Sequence, residues 1–250
     1  MRLSVSPDVV FPFRRPPPRP RARLFCLPFA GGSAALYRTW SEPLGDRIDV
    51  CPVELPGRGV RFDEAPIAEM APLVDELVLA MRPLLDVPVL LFGHSMGGRI
   101  AFEIAKRLGD RAARLFVSAS PAPDVVAPNP MAHLDDATFL RRIADKGGTP
   151  REILEDADLM ELVLPVLRAD FTLVETYRAT DEERVACPGT AFAGTGDREV
   201  PIESVRRWGR YTSGPFGVIE IPGDHFYLDA ARGSLTREIA RSLDALGGAR

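Results

Sequence analysis

The sequence predicts an α/β fold: a mostly parallel sheet covered by helices on both faces, interrupted once by a helical insertion. Three observations predict it. Short apolar, β-rich runs alternate with stretches of helical periodicity along most of the chain, the pattern of strand–helix–strand units. Roughly 70 residues between Ala119 and Gly189 carry helical spacing but no strand signal, too many for a plain connection. And 250 residues, 46% apolar and 26% charged, have the length and balance of one globular domain with a large core.

Residues 1–23 hold six arginines and Pro16-Pro17-Pro18 against a single acid, Asp8. With no continuous apolar stretch they make a poor secretory signal and are expected to be a flexible, polyproline-like extension. Residues 24–250 then form the domain, with the insert at about 122–186. Strands are expected at residues 24–29, 48–55, 87–92, 114–119, 189–193 and 218–221. Helical spacing marks residues 67–85, 96–108, 201–211 and 235–246. In the second of these Ile100, Ala101, Ile104, Ala105 and Leu108 share a face and Gly109 is placed to stop the helix. Within the insert, residues 136–146 and 159–177 have helical character, and an apolar stripe facing a cavity would make the insert a lid.

The net charge of −4, with the positive excess confined to the first residues, leaves an acidic body unsuited to nucleic acid. No apolar run approaches the ~20 residues that span a bilayer, so no membrane contact is expected. Cys26, Cys51 and Cys187 are odd in number and scattered, which argues against a disulfide framework or a metal site and for a reducing, cytoplasmic setting.

The sharpest chemical signal is Gly93-His94-Ser95-Met96-Gly97, a G-x-S-x-G turn between an apolar strand and an amphipathic helix. Such a turn presents a serine hydroxyl above the sheet edge at a helix N-terminus. A serine needs a base, and only His94, His133 and His225 exist. His94 is held inside the turn and is assigned a structural or pocket-supporting role, and His133 lies in the insert. His225, after the last strand, satisfies the chain order Ser…Asp/Glu…His. Asp197 follows a late strand in Gly194-Thr195-Gly196-Asp197 and is the expected acid, with Glu199 and Asp224 as competitors. The oxyanion donors are expected at the backbone N–H groups of Met96 and of Ala30, the latter in Pro28-Phe29-Ala30-Gly31-Gly32. Phe29, His94 and Phe226 are expected to line the substrate pocket.

These residues resemble the α/β-hydrolase fold. More narrowly, Leu27-Pro28-Phe29-Ala30-Gly31-Gly32, Leu55-Pro56-Gly57-Arg58-Gly59, Leu167-Arg168-Ala169-Asp170-Phe171 with Glu175-Thr176-Tyr177, and Gly223-Asp224-His225-Phe226 resemble the type II, stand-alone editing thioesterases of polyketide and nonribosomal peptide synthases. The likeness runs from about residue 24 to 246. It implies hydrolysis of acyl groups from the phosphopantetheine arm of acyl or peptidyl carrier domains, with small acyl thioesters as further substrates. It implies no cofactor or metal of the enzyme's own, and a monomer is the expected form. Phe29 departs from the histidine many members carry there, which bears on pocket lining. A basic patch including Arg58 and Arg61 is the expected carrier-facing surface. Two other classes use related features: a general carboxylesterase or lipase shares the machinery, and a ligand receptor on this fold would have lost turnover.

Overall fold

The computed structural model describes residues 6–148, 156–180 and 182–246. Six strands, β1 (Ala22–Leu27), β2 (Ile48–Pro52), β3 (Val89–His94), β4 (Ala112–Ser118), β5 (Gly189–Gly194) and β6 (Phe216–Ile221), form one sheet in the order β2-β1-β3-β4-β5-β6. Every neighbouring pair is parallel. The chain moves outward from β1 to β2 and then crosses back to β3 on the other side of β1. At that reversal the loops leaving the carboxyl ends of β1 and β3 diverge and open a crevice, the usual ligand position in parallel sheets. Those loops carry Ala30 and Ser95.

Strands β1, β2, β3 and β5 are buried along their whole length, which is why they read as largely apolar runs. Alternate residues feed two cores. Phe25, Leu91, Val117 and Ala191 enter one, beneath α1 (Met70–Met81) and α2 (Met96–Leu108). Leu24, Phe92, Phe116 and Phe192 enter the other, with Trp40 and with Leu235 and Ile239 of the C-terminal helix. Helix α2 stops at Gly109, whose positive φ of 56° and N–H bond to Ala105 O close the last turn.

The insert contains α3 (Asp136–Lys146) and α4 (Ala157–Thr176), followed later by α5 (Ile202–Arg206) and α6 (Arg232–Leu246). Asp135 and Asp156 cap α3 and α4 by accepting first-turn amides. The insert has a small core of its own, Met131, Phe139, Ile143, Met160 and Leu167. Part of the expected insert, residues 149–155 and 181, lies outside the described residues.

Residues 6–21 correct the expected flexible extension. Pro7–Val10 form a helical turn, and Val10 and Phe11 are buried in the first core, the Phe11 ring 5.3 Å from that of Phe25. Glu54 N–H donates to Val10 O at 2.8 Å. Arg14 grips the fully buried Asp49 of β2 at 2.8 and 3.0 Å, and Arg23, already inside β1, donates to the same carboxylate at 2.7 Å. The physical reason is twofold: an apolar pair is hidden in a Pro/Arg-rich composition, and a buried carboxylate requires cations. Deleting residues 1–15 is therefore expected to cost at least about 3 kcal/mol, the scale of losing one buried aromatic side chain. Urea unfolding of the deleted and full chains measures it. A flexible extension would leave the midpoint unchanged.

Candidate active site

Ser95 sits between the last residue of β3 and the first of α2, at φ 53° and ψ −114°. A positive φ is strained for a residue with a side chain. The turn survives because Gly93 and Gly97, two residues to either side, have none. A Cβ on Gly93 would lie 2.0 Å from Gly97 O, and one on Gly97 would lie 2.3 Å from Leu27 O. Ser95 N–H donates to Ser118 O at 2.7 Å, tying the turn to the end of β4.

His225 Nε2 lies 3.1 Å from Ser95 Oγ, and His225 Nδ1 lies 2.8 Å from Asp197 Oδ2. A carboxylate only accepts, so Nδ1 carries the proton and Nε2 presents its lone pair to the serine hydroxyl. The other Asp197 oxygen accepts the amides of Glu199 and Val200 at 2.8 and 2.9 Å. Burial alone would raise the Asp197 carboxyl. The His225 hydrogen bond and charge and the two amides outweigh it and hold the group below the ordinary carboxylate range. Backbone bonds from Thr195 to Ile221 O and from Gly196 to Gly223 O, both 2.8 Å, stitch the acid loop to the base loop. The competing acids have other work: Glu199 pairs with Lys146, and Asp224 accepts Phe226 N–H at 2.9 Å.

Ser95 and His225 open into a cavity of about 670 Å³. Ala30, Met96, Phe29 and Phe226 line its reacting end. Phe29 and Phe226 meet edge to face at 5.3 Å. Leu167, Phe171 and Val174, on one stripe of α4, line it from above, together with Met131 and Ile143 of the insert. The insert thus covers the serine with an apolar face. Buried Arg99, one turn into α2, also lines the cavity and donates to the carbonyls of Val174 and Val125 at 2.9 and 2.7 Å. Nothing in the spacing of the sequence marked it. Among the described residues no group of three or more His, Cys, Asp or Glu side chains converges to hold a metal.

Two expected placements are corrected. His94 is fully buried and does not line the cavity. Its Nε2 donates to His225 O at 2.9 Å and its Nδ1 lies 3.0 Å from Ser118 Oγ, which in turn meets Tyr227 OH at 2.7 Å. It is a strut under the base loop, turned inward because alternate side chains of β3 point to opposite faces. Arg58 and Arg61 are also buried: Arg58 pairs with Asp170, and Arg61 with Glu64 and Glu76. Spent on internal carboxylates, neither offers a carrier-facing charge.

Burial, helped by the charge of His225, pushes the His94 imidazole down to about 3 from its ordinary 6.5. In the unfolded chain it takes a proton near 6.5, so between these values the unfolded state binds more protons. Stability therefore falls as the pH is lowered from about 6.5 toward 3, by up to about 1.4 kcal/mol per pH unit. Asp197 acts in the same direction, but only near and below the ordinary carboxylate value. Urea midpoints between about pH 6.5 and 4.5 are expected to fall less steeply in His94→Gln than in wild type. Parallel slopes would show that His94 is protonated in the fold.

A strained serine above the carboxyl edge of a parallel sheet, its base and acid following in the order acid then base, defines a serine hydrolase built on the α/β-hydrolase fold. Residues 22–245 match the family model of the thioesterase domain. Thioesterase PikA5 of Streptomyces venezuelae is 38% identical over 240 residues, covering 94% of this chain and 85% of that one. Among solved structures, the RedJ thioesterase from the prodiginine biosynthetic pathway of Streptomyces coelicolor is similar at a TM-score of 0.82 and 36% identity, covering 91% of this chain and 88% of that one. The type II thioesterase BorB from the borrelidin biosynthetic cluster is similar at 0.82 and 35%, covering 92% and 95%. The chain belongs to the thioesterase family, among the type II thioesterases of polyketide and nonribosomal peptide pathways.

Proposed function

We propose that this thioesterase removes acyl groups from the phosphopantetheine arm of acyl or peptidyl carrier domains, clearing stalled or aberrant chains from a synthase. The observation that carries the reading is the Ser95–His225–Asp197 chain of hydrogen bonds opening into a largely apolar, insert-covered cavity. The relatives PikA5, RedJ and BorB, the last two named for the prodiginine pathway and the borrelidin cluster, support the setting.

In the first step His225 Nε2 takes the Ser95 proton as Oγ attacks the thioester carbonyl. The oxyanion is met by the N–H groups of Met96 and Ala30, and the proton passes to the departing pantetheine thiolate. The acyl group is left as an ester on Ser95. Water, deprotonated by the same imidazole, hydrolyses that ester and returns the serine. A thiolate leaves readily, so these residues suffice without a cofactor. Asp197 stabilises the imidazolium of both steps from its buried position. Phe29 and Phe226 flank the reacting carbonyl, and the α4 stripe receives the acyl chain.

Side-by-side rates test the substrate class. For one acyl group, kcat/KM on the carrier-bound thioester is expected to exceed that on the p-nitrophenyl ester by at least roughly tenfold, because the arm and carrier add binding energy remote from the reacting bond. Faster cleavage of the oxygen ester, with the carrier left acylated, would make this a general esterase.

A further inference from the structure

Two of the stretches that mark the subfamily in the sequence, Pro56-Gly57-Arg58 and Arg168-Ala169-Asp170-Phe171, contain none of the reacting groups. They meet beside the loop that follows β1. Arg58 and Asp170 form a buried, two-pronged ion pair, Nη1 to Oδ2 at 2.7 Å and Nη2 to Oδ1 at 2.8 Å. The same Oδ2 accepts Gly31 N–H at 2.8 Å, and Arg58 Nη1 donates to Gly32 O at 3.1 Å. The pair therefore holds the loop by a donor on one residue and an acceptor on the next.

Gly31 is also the point where α4 presses on this loop. Its φ is +78°, and a Cβ there would lie 2.6 Å from Leu167 Cδ2. Leu167 and Asp170, one helical turn apart, thus bear on a single glycine, one by packing and one by a charge-assisted hydrogen bond. Gly31 N belongs to the peptide group that carries the Ala30 carbonyl. Pinning that peptide plane limits how far the preceding Ala30 N–H can turn.

We propose that Asp170, oriented by Arg58, is a positioning residue that aims the Ala30 N–H at the oxyanion, so that the hole is complete only while α4 is seated on the β1 loop. This rests on the reading in which Ala30 is an oxyanion donor of the thioesterase. It couples the insert to the chemistry as well as to the shape of the chamber: an α4 that lifts from Gly31 takes the carboxylate with it and releases the donor. Preorganisation of such donors is what makes them effective, so modest misplacement is costly.

The test uses the full chain and a soluble acyl-pantetheine thioester, so that carrier docking does not enter. Asp170→Asn keeps the shape and one acceptor oxygen but loses the ion pair, and Arg58→Lys keeps the charge but loses the fork. Three quantities are read: kcat, KM, and the inhibition constant of a trifluoromethyl ketone analogue, whose hemiketal oxyanion occupies the hole. In Asp170→Asn kcat is expected to fall about 100-fold with KM within about threefold, the scale of a small misplacement at a reacting centre. The inhibitor is expected to weaken by the same factor as kcat/KM, and Arg58→Lys to fall in between on both scales. A folded Asp170→Asn with kcat and inhibitor affinity unchanged would overturn the proposal, leaving Asp170 a structural staple. So would a rise in KM alone. Where Asp170→Asn does not fold, Arg58→Lys decides by the same proportionality. Wild-type turnover of the thioester separately reports the underlying reading, since its absence would remove the reaction rather than the positioning.

Discussion

Ser95→Ala is expected to lose thioester turnover by on the order of 10⁶-fold while the protein stays folded. The magnitude follows from the site's economy of groups. Ser95 Oγ is the hydroxyl that His225 Nε2 faces at 3.1 Å, and without it the imidazole has only water to activate. Residual hydrolysis of the order left by binding and the oxyanion donors alone is all that remains. Stability is barely touched, because the change removes one oxygen and one hydrogen bond, worth about 1 kcal/mol. The backbone strain at φ 53° is the same for alanine as for serine. Steady-state rates on an acyl thioester, with a fluorophosphonate label followed on the same samples, check both halves. Wild-type labelling at Ser95 and none in the variant is the expected pattern. Turnover within about tenfold of wild type would assign the nucleophile elsewhere, because a triad lacking its serine loses far more than that.

Gly97→Ala is expected to cost the protein a large part of its stability. The new Cβ would lie 2.3 Å from Leu27 O, 2.7 Å from Leu27 C and 2.8 Å from Pro28 O. All three are backbone atoms at the end of β1, so no flexible side chain can give way. Relief requires α2 to part from β1, which opens the first core at the switch point and moves the loop carrying Ala30. A cost above about 4 kcal/mol is expected, together with loss of activity in whatever fraction folds. For a chain of this size that lowers Tm by roughly 10 °C or more. Gly109→Ala is the contrasting control: Gly109 has a positive φ, 56°, which Gly97 lacks, and nothing lies within 4 Å of its Cβ. It is expected to cost only about 1–2 kcal/mol, the backbone strain alone. Thermal unfolding of the two variants separates steric exclusion from conformational strain. Equal shifts would mean that the elbow has room to spare.

The reacting residues were legible in the sequence because each is announced locally. Ser95 has glycines at fixed spacing between a strand and a helix, and Asp197 and His225 each follow an apolar strand in the required order. The strand core was legible for a related reason: strands buried on both faces leave continuous apolar runs. What escaped depends on partners distant in the chain. Arg58 looks like a surface cation until Asp170, 112 residues on, is placed against it. The lead-in looks flexible because two anchors, Val10 and Phe11, are averaged among prolines and arginines. The carboxylate that draws in Arg14 is 35 residues further along. His94 was misplaced for a different reason. Adjacency to Ser95 says that it is near the site, but only the pleat of β3 and the position of Ser118 decide that it points into the core.

Intact-protein mass spectrometry of an acyl carrier domain, charged in turn with acetyl, propionyl and hexanoyl groups, shows whether the enzyme unloads carriers through Ser95. Each charged carrier is incubated with the wild-type enzyme and with Ser95→Ala. Loss of the acyl mass with wild type alone is predicted, leaving the free phosphopantetheine thiol on the carrier and ranking the acyl chains by their fit to the chamber. A carrier that keeps every acyl group while the same enzyme preparation cleaves simple oxygen esters would contradict it.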